Sequence, residues 1–418
     1  MVQRSVSAVV FLLALLPALY GCSEREPLER TEETRAEATR PEEPVEVDLV
    51  ISGGTLIDGT GSPPVRDAMV ALDDGRVVAA GRAAEVGDYR GAKTFDADGM
   101  TVMPGFVNAH AHSRYVSLRE TEGWTRAGIT TVRDLAGPVQ ELVARREAGR
   151  EDPALPELIV SGPMLTVPGG HPFPIYGEEY PALAVSGPED AAREVNRLLD
   201  AGADGVKIVV SGRTDTGWPE LSDAEIRAIT DAAHARGAWV SAHVDTASGL
   251  RRAVENGVDD AAHSPRDRIP EDLISLMVER DVALVPTIDV YRNIAEENGT
   301  AAQWTAETRP VMYDNLRRFE AAGGTLALGD DFGNPGVELG MMTDEIEHWL
   351  AAGLPPLRVL SAATEGGASV AGIEGRTGTL EPGKEADVLV VDGDPLAEID
   401  ALRRVSLVVQ NGVRYGEG

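Results

Sequence analysis

The sequence predicts an α/β protein: a (β/α)8 barrel of the TIM type with a small β-sandwich domain formed by both termini. Three observations predict it. Strand-like and helix-like runs alternate through the middle of the chain, both flanks are rich in short β-runs, and polar residues gather at the ends of the middle strands. Strand–helix alternation implies right-handed parallel crossovers, and eight such units close into a barrel. A doubly wound open sheet is the alternative, but no Gly-x-Gly-x-x-Gly follows an early strand.

In chain order, Arg4 and the apolar run Ser7–Leu16 read as an export signal, too short to span a bilayer comfortably. Leu19-Tyr20-Gly21-Cys22 follows and resembles the lipobox of bacterial lipoproteins. The resemblance implies a signal peptide over residues 1–22 and acylation at Cys22. The chain would then be an exported lipoprotein of the bacterial cell envelope, touching the membrane only through that anchor. Cys22 is the only cysteine, which excludes an intrachain disulfide, a cysteine metal site and a thiol nucleophile. Residues 23–46, rich in Glu, Arg, Thr and Pro, cannot bury a core and read as a disordered acidic linker.

β-rich runs at Val47–Ile57 and Ala68–Ala80 are separated by turn residues, and similar runs return at Ala386–Val391 and Val405–Tyr415. Residues 47–103 are therefore assigned to the sandwich, 104–366 to the barrel, and 367–418 to the end of the last barrel helix and the rest of the sandwich. The eight barrel strands are expected at Val102–Asn108, Thr130–Leu135, Glu157–Leu165, Val206–Val210, Trp239–His243, Asp260–His263, Ala283–Ile288 and Thr325–Leu328. Amphipathic helices are expected between them, as at Ser222–Arg236 and Pro270–Arg280. At 418 residues the chain is long enough for this arrangement. Its net charge of −31 excludes nucleic acid as a partner, since phosphate binding needs a basic face. The lysines are only three: Lys93, Lys207 and Lys384.

His110 and His112 close the first strand and, two apart, leave one face of the extended chain. Lys207 sits within the apolar run Gly205–Val210, His243 and His263 end the fifth and sixth strands, and Asp330-Asp331 ends the eighth. In a barrel these carboxyl ends meet at one mouth. Singly, each residue has an ordinary structural explanation: a strand-end histidine, a lysine paired with a carboxylate, an aspartate capping a helix. Their joint occurrence is what separate explanations account for poorly.

Pro104-Gly105-Phe106-Val107-Asn108-Ala109-His110-Ala111-His112 resembles the opening metal motif of the amidohydrolase superfamily. Gly128–Leu135, Gly202–Val209, Leu250–His263 and Thr379–Asp392 extend the resemblance, which is nearest to its imidazolonepropionase-like and prolidase-like dipeptidases. It implies a two-metal hydrolase in which His110 and His112 hold one ion and His243 and His263 the other. Lys207 would bridge them as a carbamate formed with CO2, since a protonated lysine would repel two dications. Neighbouring Val206, Ile208 and Val209 would depress its pKa. Asp331, in the aspartate slot of Gly329-Asp330-Asp331, is assigned both to the metals and as catalytic acid/base, while Asp330 replaces a threonine.

His171, in Gly169-Gly170-His171-Pro172, is assigned to substrate or oxyanion binding. Arg133 suits either a substrate carboxylate or an internal salt bridge. Asp245 stands where relatives often carry a second His or Tyr, and so bears on substrate choice. His234 and His348 read as structural. The implied reaction is attack of a metal-bridging hydroxide on the amide of a dipeptide, Xaa-Pro included, or of an N-acyl amino acid. The same site suits a cyclic amide, lactone or phosphoester, and a non-catalytic ligand-binding lipoprotein is the alternative from another class. Nitrogen and oxygen donors suit zinc, and also cobalt, manganese or iron. Oligomeric state is not legible.

Overall fold

The structure, a computed structural model, describes residues 43–212 and 217–416. The signal peptide, Cys22 and the linker up to residue 42 lie outside the described residues. Among those described, no helix is long and apolar enough to cross a membrane.

The N-terminal flank holds β1 (Val45–Ser52), β2 (Thr55–Leu56), β3 (Val65–Arg66), β4 (Ala68–Asp73), β5 (Arg76–Arg82), β6 (Tyr89–Asp96) and β7 (Met100–Pro104). β1 starts at Val45, two residues inside the expected linker, because Val45 and Glu46 pair with Tyr89 and Arg90. The middle supplies β8 (Phe106–Ala111), β9 (Ile129–Asp134), β10 (Glu157–Val160), β11 (Met164–Thr166), β12 (Ala182–Ala184), β13 (Gly205–Val209), β14 (Trp239–His243), β15 (Asp260–Ala262) and β16 (Ala283–Val285). The C-terminal flank adds β17 (Val388–Asp392), β18 (Val405–Gln410) and β19 (Val413–Arg414).

The flanks build two mixed sheets, β5-β4-β1-β6 and β19-β18-β17-β7-β2-β3. Both ends of the chain thus share the second sheet. Ile51, Val70 and Leu72 of the first are buried in one cluster with Leu56, Val102, Val390 and Leu407 of the second.

The middle strands are all parallel, in the orders β10-β9-β8 and β12-β11-β13-β14-β15-β16. They do not form the one continuous closed sheet that the sequence predicts, and two local causes are visible. The expected third strand breaks into β10 and β11 at Gly162, whose φ of +73° leaves the extended region, followed by Pro163. Of the expected eighth strand only a single bridge, Leu284 to Leu326, is formed. The Leu328 N–H turns instead to the carbonyl of Ala362, 3.1 Å away. The segment after it still runs beside β8: Asp331 N–H donates to His110 O at 2.8 Å, and His112 N–H to Phe332 O at 2.8 Å.

The first expected barrel strand, Val102–Asn108, is also divided. Val102 belongs to β7 in a flanking sheet, and the chain crosses at Gly105 into β8. A Cβ at Gly105 would lie 2.2 Å from Thr130 Oγ1, so the crossing requires glycine. Helices cover the parallel strands; Ser222 and Glu225 form a reciprocal capping box that starts the helix Asp223–His234.

Candidate metal centre

Each polar residue picked out at a strand end lies at the carboxyl side of the parallel strands. His110 is in β8 and His112 just beyond it; both are buried. Asp331 comes from the segment alongside, in a left-handed conformation at φ +58°. This turns its Oδ1 to 3.2 Å from His110 Nε2 and 2.9 Å from His112 Nε2. Such a backbone costs about 1–3 kcal/mol in a residue other than glycine, and strain of this kind collects at working sites. His263 (φ +143°) and Thr287 (φ +45°) share it. Thr287 Oγ1 is 2.7 Å from His263 Nδ1, which leaves the other ring nitrogen, Nε2, on the site's side.

The rings form an unbroken chain. Centroids are 5.3 Å apart for His112 and His110, 4.9 Å for His110 and His263, and 4.5 Å for His263 and His243. His171 stacks on His243 at 4.6 Å. Burial, with Lys207 or another imidazole nearby, holds His110, His243 and His263 well below the ordinary histidine range. They are neutral donors at pH 7. Lys207 is buried beneath them in β13, and burial pushes its ammonium down to about 7 despite the opposing pull of Asp260 and Asp331.

Among the described residues, Lys207 Nζ and His243 Nε2 have no hydrogen-bond partner although both are buried. An unmatched buried polar atom costs about 1–3 kcal/mol. His110, His112 and Asp331 meanwhile present ligand atoms within 4.8 Å of one another. Neutral imidazoles, a carboxylate and orphaned nitrogens at one place fit a divalent cation.

Asp330 and Asp331 part company here. Asp330 Oδ1 accepts from Asn108 Nδ2 at 2.7 Å and from the Phe332 N–H at 3.1 Å, and burial pushes its carboxyl up to about 7. Arg133 does not reach the cavity. It is fully buried, donates to Asp260 at 2.7 Å and stacks 3.8 Å from the Trp239 ring, so of its two possible roles it takes the internal salt bridge. His234 pairs with Asp259 at the surface, and His348 lies between Tyr313 and Asp289.

Above the histidines opens a cavity of about 380 Å3. His171 and Asp245 both line it. Asp245 accepts from the Tyr291 hydroxyl at 2.8 Å and lies 3.4 Å from Arg266 Nη2, and both partners line the cavity too. Tyr176 and Tyr180, stacked at 4.9 Å, line it as well. Sequence reading missed Arg266, Tyr291, Tyr176 and Tyr180. Only Arg266 had a signal, standing three residues after His263 and therefore in the loop leaving the same strand.

A cluster of cation donors at the carboxyl ends of parallel strands, under a substrate-sized cavity, is the arrangement of a metal-dependent hydrolase. The chain belongs to the Amidohydrolase family, whose profile matches residues 101–414. Members of that family are generally metal-dependent. Ochratoxinase of Aspergillus niger is 26% identical over 410 residues, covering 86% of this chain and 84% of the relative. Imidazolonepropionase of Symbiobacterium thermophilum is 28% identical over 408 residues, covering 82% and 91%. The crystal structure of a putative prolidase from Bifidobacterium longum superposes with a TM-score of 0.78 at 28% identity, covering 89% of this chain and 95% of that one.

Proposed function

We propose that the chain hydrolyses the amide bond of a dipeptide, Xaa-Pro among them, or of an N-acyl amino acid at a two-metal centre. The observation that carries this reading is the set of buried donors, several with atoms that have no hydrogen-bond partner, beneath a cavity that Arg266 also lines. His110, His112, His243 and His263 would hold two divalent ions, zinc first among the metals that suit them, with Lys207 as its carbamate between them. The depressed pKa of Lys207 supports the carbamate, because only the neutral amine reacts with CO2. Ions held there polarise the scissile carbonyl and make water more acidic.

The residues do the rest. Asp331 takes a proton from the attacking water and returns it to the leaving amine. His171, stacked on His243, donates to the carbonyl oxygen as charge gathers there. Arg266, buttressed by Asp245, gives a carboxylate-bearing substrate a cationic contact on a chain whose net charge is −31. The cavity falls within the roughly 300–1,000 Å3 of small-molecule sites, which suits a dipeptide-sized ligand.

The same reading takes the parallel strands as a (β/α)8 barrel spanning 104–366. The flanking sheets, 47–103 and 367–418, would be its β-sandwich, and Cys22 the lipid anchor of an exported enzyme. Purified, metal-loaded protein screened against dipeptides and N-acyl amino acids is expected to release free amino acid. Hydrolysis of lactones or phosphotriesters with no amide turned over would overturn the assignment.

A further inference from the structure

We infer that the end of the substrate remote from its carboxylate is an aromatic group, seated on a tyrosine wall at the cavity mouth. This deepens, and rests on, the amide-hydrolase reading above. The wall is visible as misplaced apolar surface. Among the described residues the exposed large hydrophobic side chains are Val45, Tyr115, Ile175, Tyr176 and Val413. Ile175 and Tyr176 line the cavity, and Tyr115 packs beside it against the loop that carries Asp331. A Cβ at Gly333 in that loop would lie 2.5 Å from Tyr115 Cδ2. Isolated exposed apolar residues mean little, but a contiguous group around one opening marks a binding surface.

The group is also organised. Tyr176 and Tyr180 stack with an interplanar angle of 27°. The Arg114 guanidinium lies 5.2 Å from the Tyr115 ring and 5.7 Å from that of Tyr180, which ties the two rings together from outside. Met164, Val290 and Ile294 add apolar lining, the last two on the helix that carries Tyr291.

The polar recognition groups, Arg266 with Asp245 and Tyr291, belong with His243 and His263. Tyr291 is 5.9 Å from His263 by ring centroids, and Asp245 is 3.9 Å from His243. The tyrosines belong with the Asp331 side, where the Tyr176 hydroxyl is 3.5 Å from Asn334. A molecule touching both groups would present its carboxylate to Arg266 and its other end to the tyrosines. An acetyl group would leave the tyrosine faces wet, whereas a planar ring would cover them and gain offset stacking.

The test compares N-(2-naphthoyl)-L-alanine with N-acetyl-L-alanine on the metal-loaded full chain. kcat/KM is expected to favour the naphthoyl substrate by about a hundredfold, within reach of apolar pocket discrimination. The double substitution Tyr176→Ser, Tyr180→Ser should shrink that ratio at least tenfold. Calorimetric binding of the two compounds to the wild-type protein supplies a readout that needs neither turnover nor a folded variant. Tighter naphthoyl binding without hydrolysis of either compound would keep this inference and refute the amide-hydrolase reading. Equal rates with equal binding, or a ratio unmoved by the double substitution, would overturn the inference and leave that reading standing.

Discussion

Two regions of the molecule bury ionisable groups, and they treat them in opposite ways. Where the parallel strands meet the flanking sheets, Asp387 accepts from Thr377 Oγ1 and the Asn411 N–H, both at 2.9 Å, while Arg376 serves Glu157 and Glu385 together. At the strand ends, Lys207 Nζ, His243 Nε2 and the Nδ1 atoms of His110 and His112 are buried with no hydrogen-bond partner among the described residues. In the first region both oxygens of Asp387 are hydrogen-bonded and the Arg376 charge is shared by two carboxylates. The second also carries positive φ at Asp331, His263 and Thr287, beside these unpartnered atoms.

Substitutions at the two regions should therefore differ in kind. The largest effect is expected from Asp331→Asn, which keeps a ligand oxygen but loses the proton acceptor. Turnover should fall by about a thousandfold or more with metal content largely retained, measured by steady-state kinetics beside elemental analysis. Normal activity would remove Asp331 from the mechanism.

Lys207→Met comes next. It removes a buried, unpartnered nitrogen, so the metal-free variant should melt above metal-free wild type while binding fewer metal ions. A lower melting temperature with unchanged metal content would make Lys207 a structural residue like those at the junction.

Asp387→Asn probes the paired region. Burial pushes this carboxyl up to about 6 from an ordinary 3.8, so the folded state holds its proton longer than the unfolded one. Stability from this group is thus present below pH 3.8 and is lost as pH rises through 6, by about 3 kcal/mol at most. The asparagine should melt a few degrees higher than wild type at pH 7 to 8 but not at pH 4, with activity unchanged. The reverse order would show that the junction needs the charge.

Least of all is expected from His234→Ala, which breaks a surface pair with Asp259. Its melting temperature should move by about a degree or less.

The sequence made the donor set legible because cation chemistry restricts it to few residue types, and parallel strands carry those types to one edge. His110, His112, Lys207, His243, His263 and Asp331 could be named for that reason. The motif alone favours Asp331 over Asp330; what the sequence does not show is the positive φ of Asp331 and the hydrogen bonds that engage Asp330 with Asn108 and Phe332. The rim was illegible. Tyr176 ends a four-residue helix, Tyr180 lies in the loop after it and Tyr291 in a longer helix, and no periodicity there distinguishes a substrate contact from packing. The divisions at Gly105 and Gly162 were hidden for a different reason: apolar runs read as single strands until a neighbour such as Thr130 forbids a side chain.

Two divalent ions held by these six residues, as proposed, can be counted directly. Metal-depleted full-length protein, dialysed against excess zinc and then against metal-free buffer, should retain two zinc ions per chain by elemental analysis. Its melting temperature should rise over that of the depleted protein. One ion or none per chain, with the melting temperature unchanged, would contradict the account.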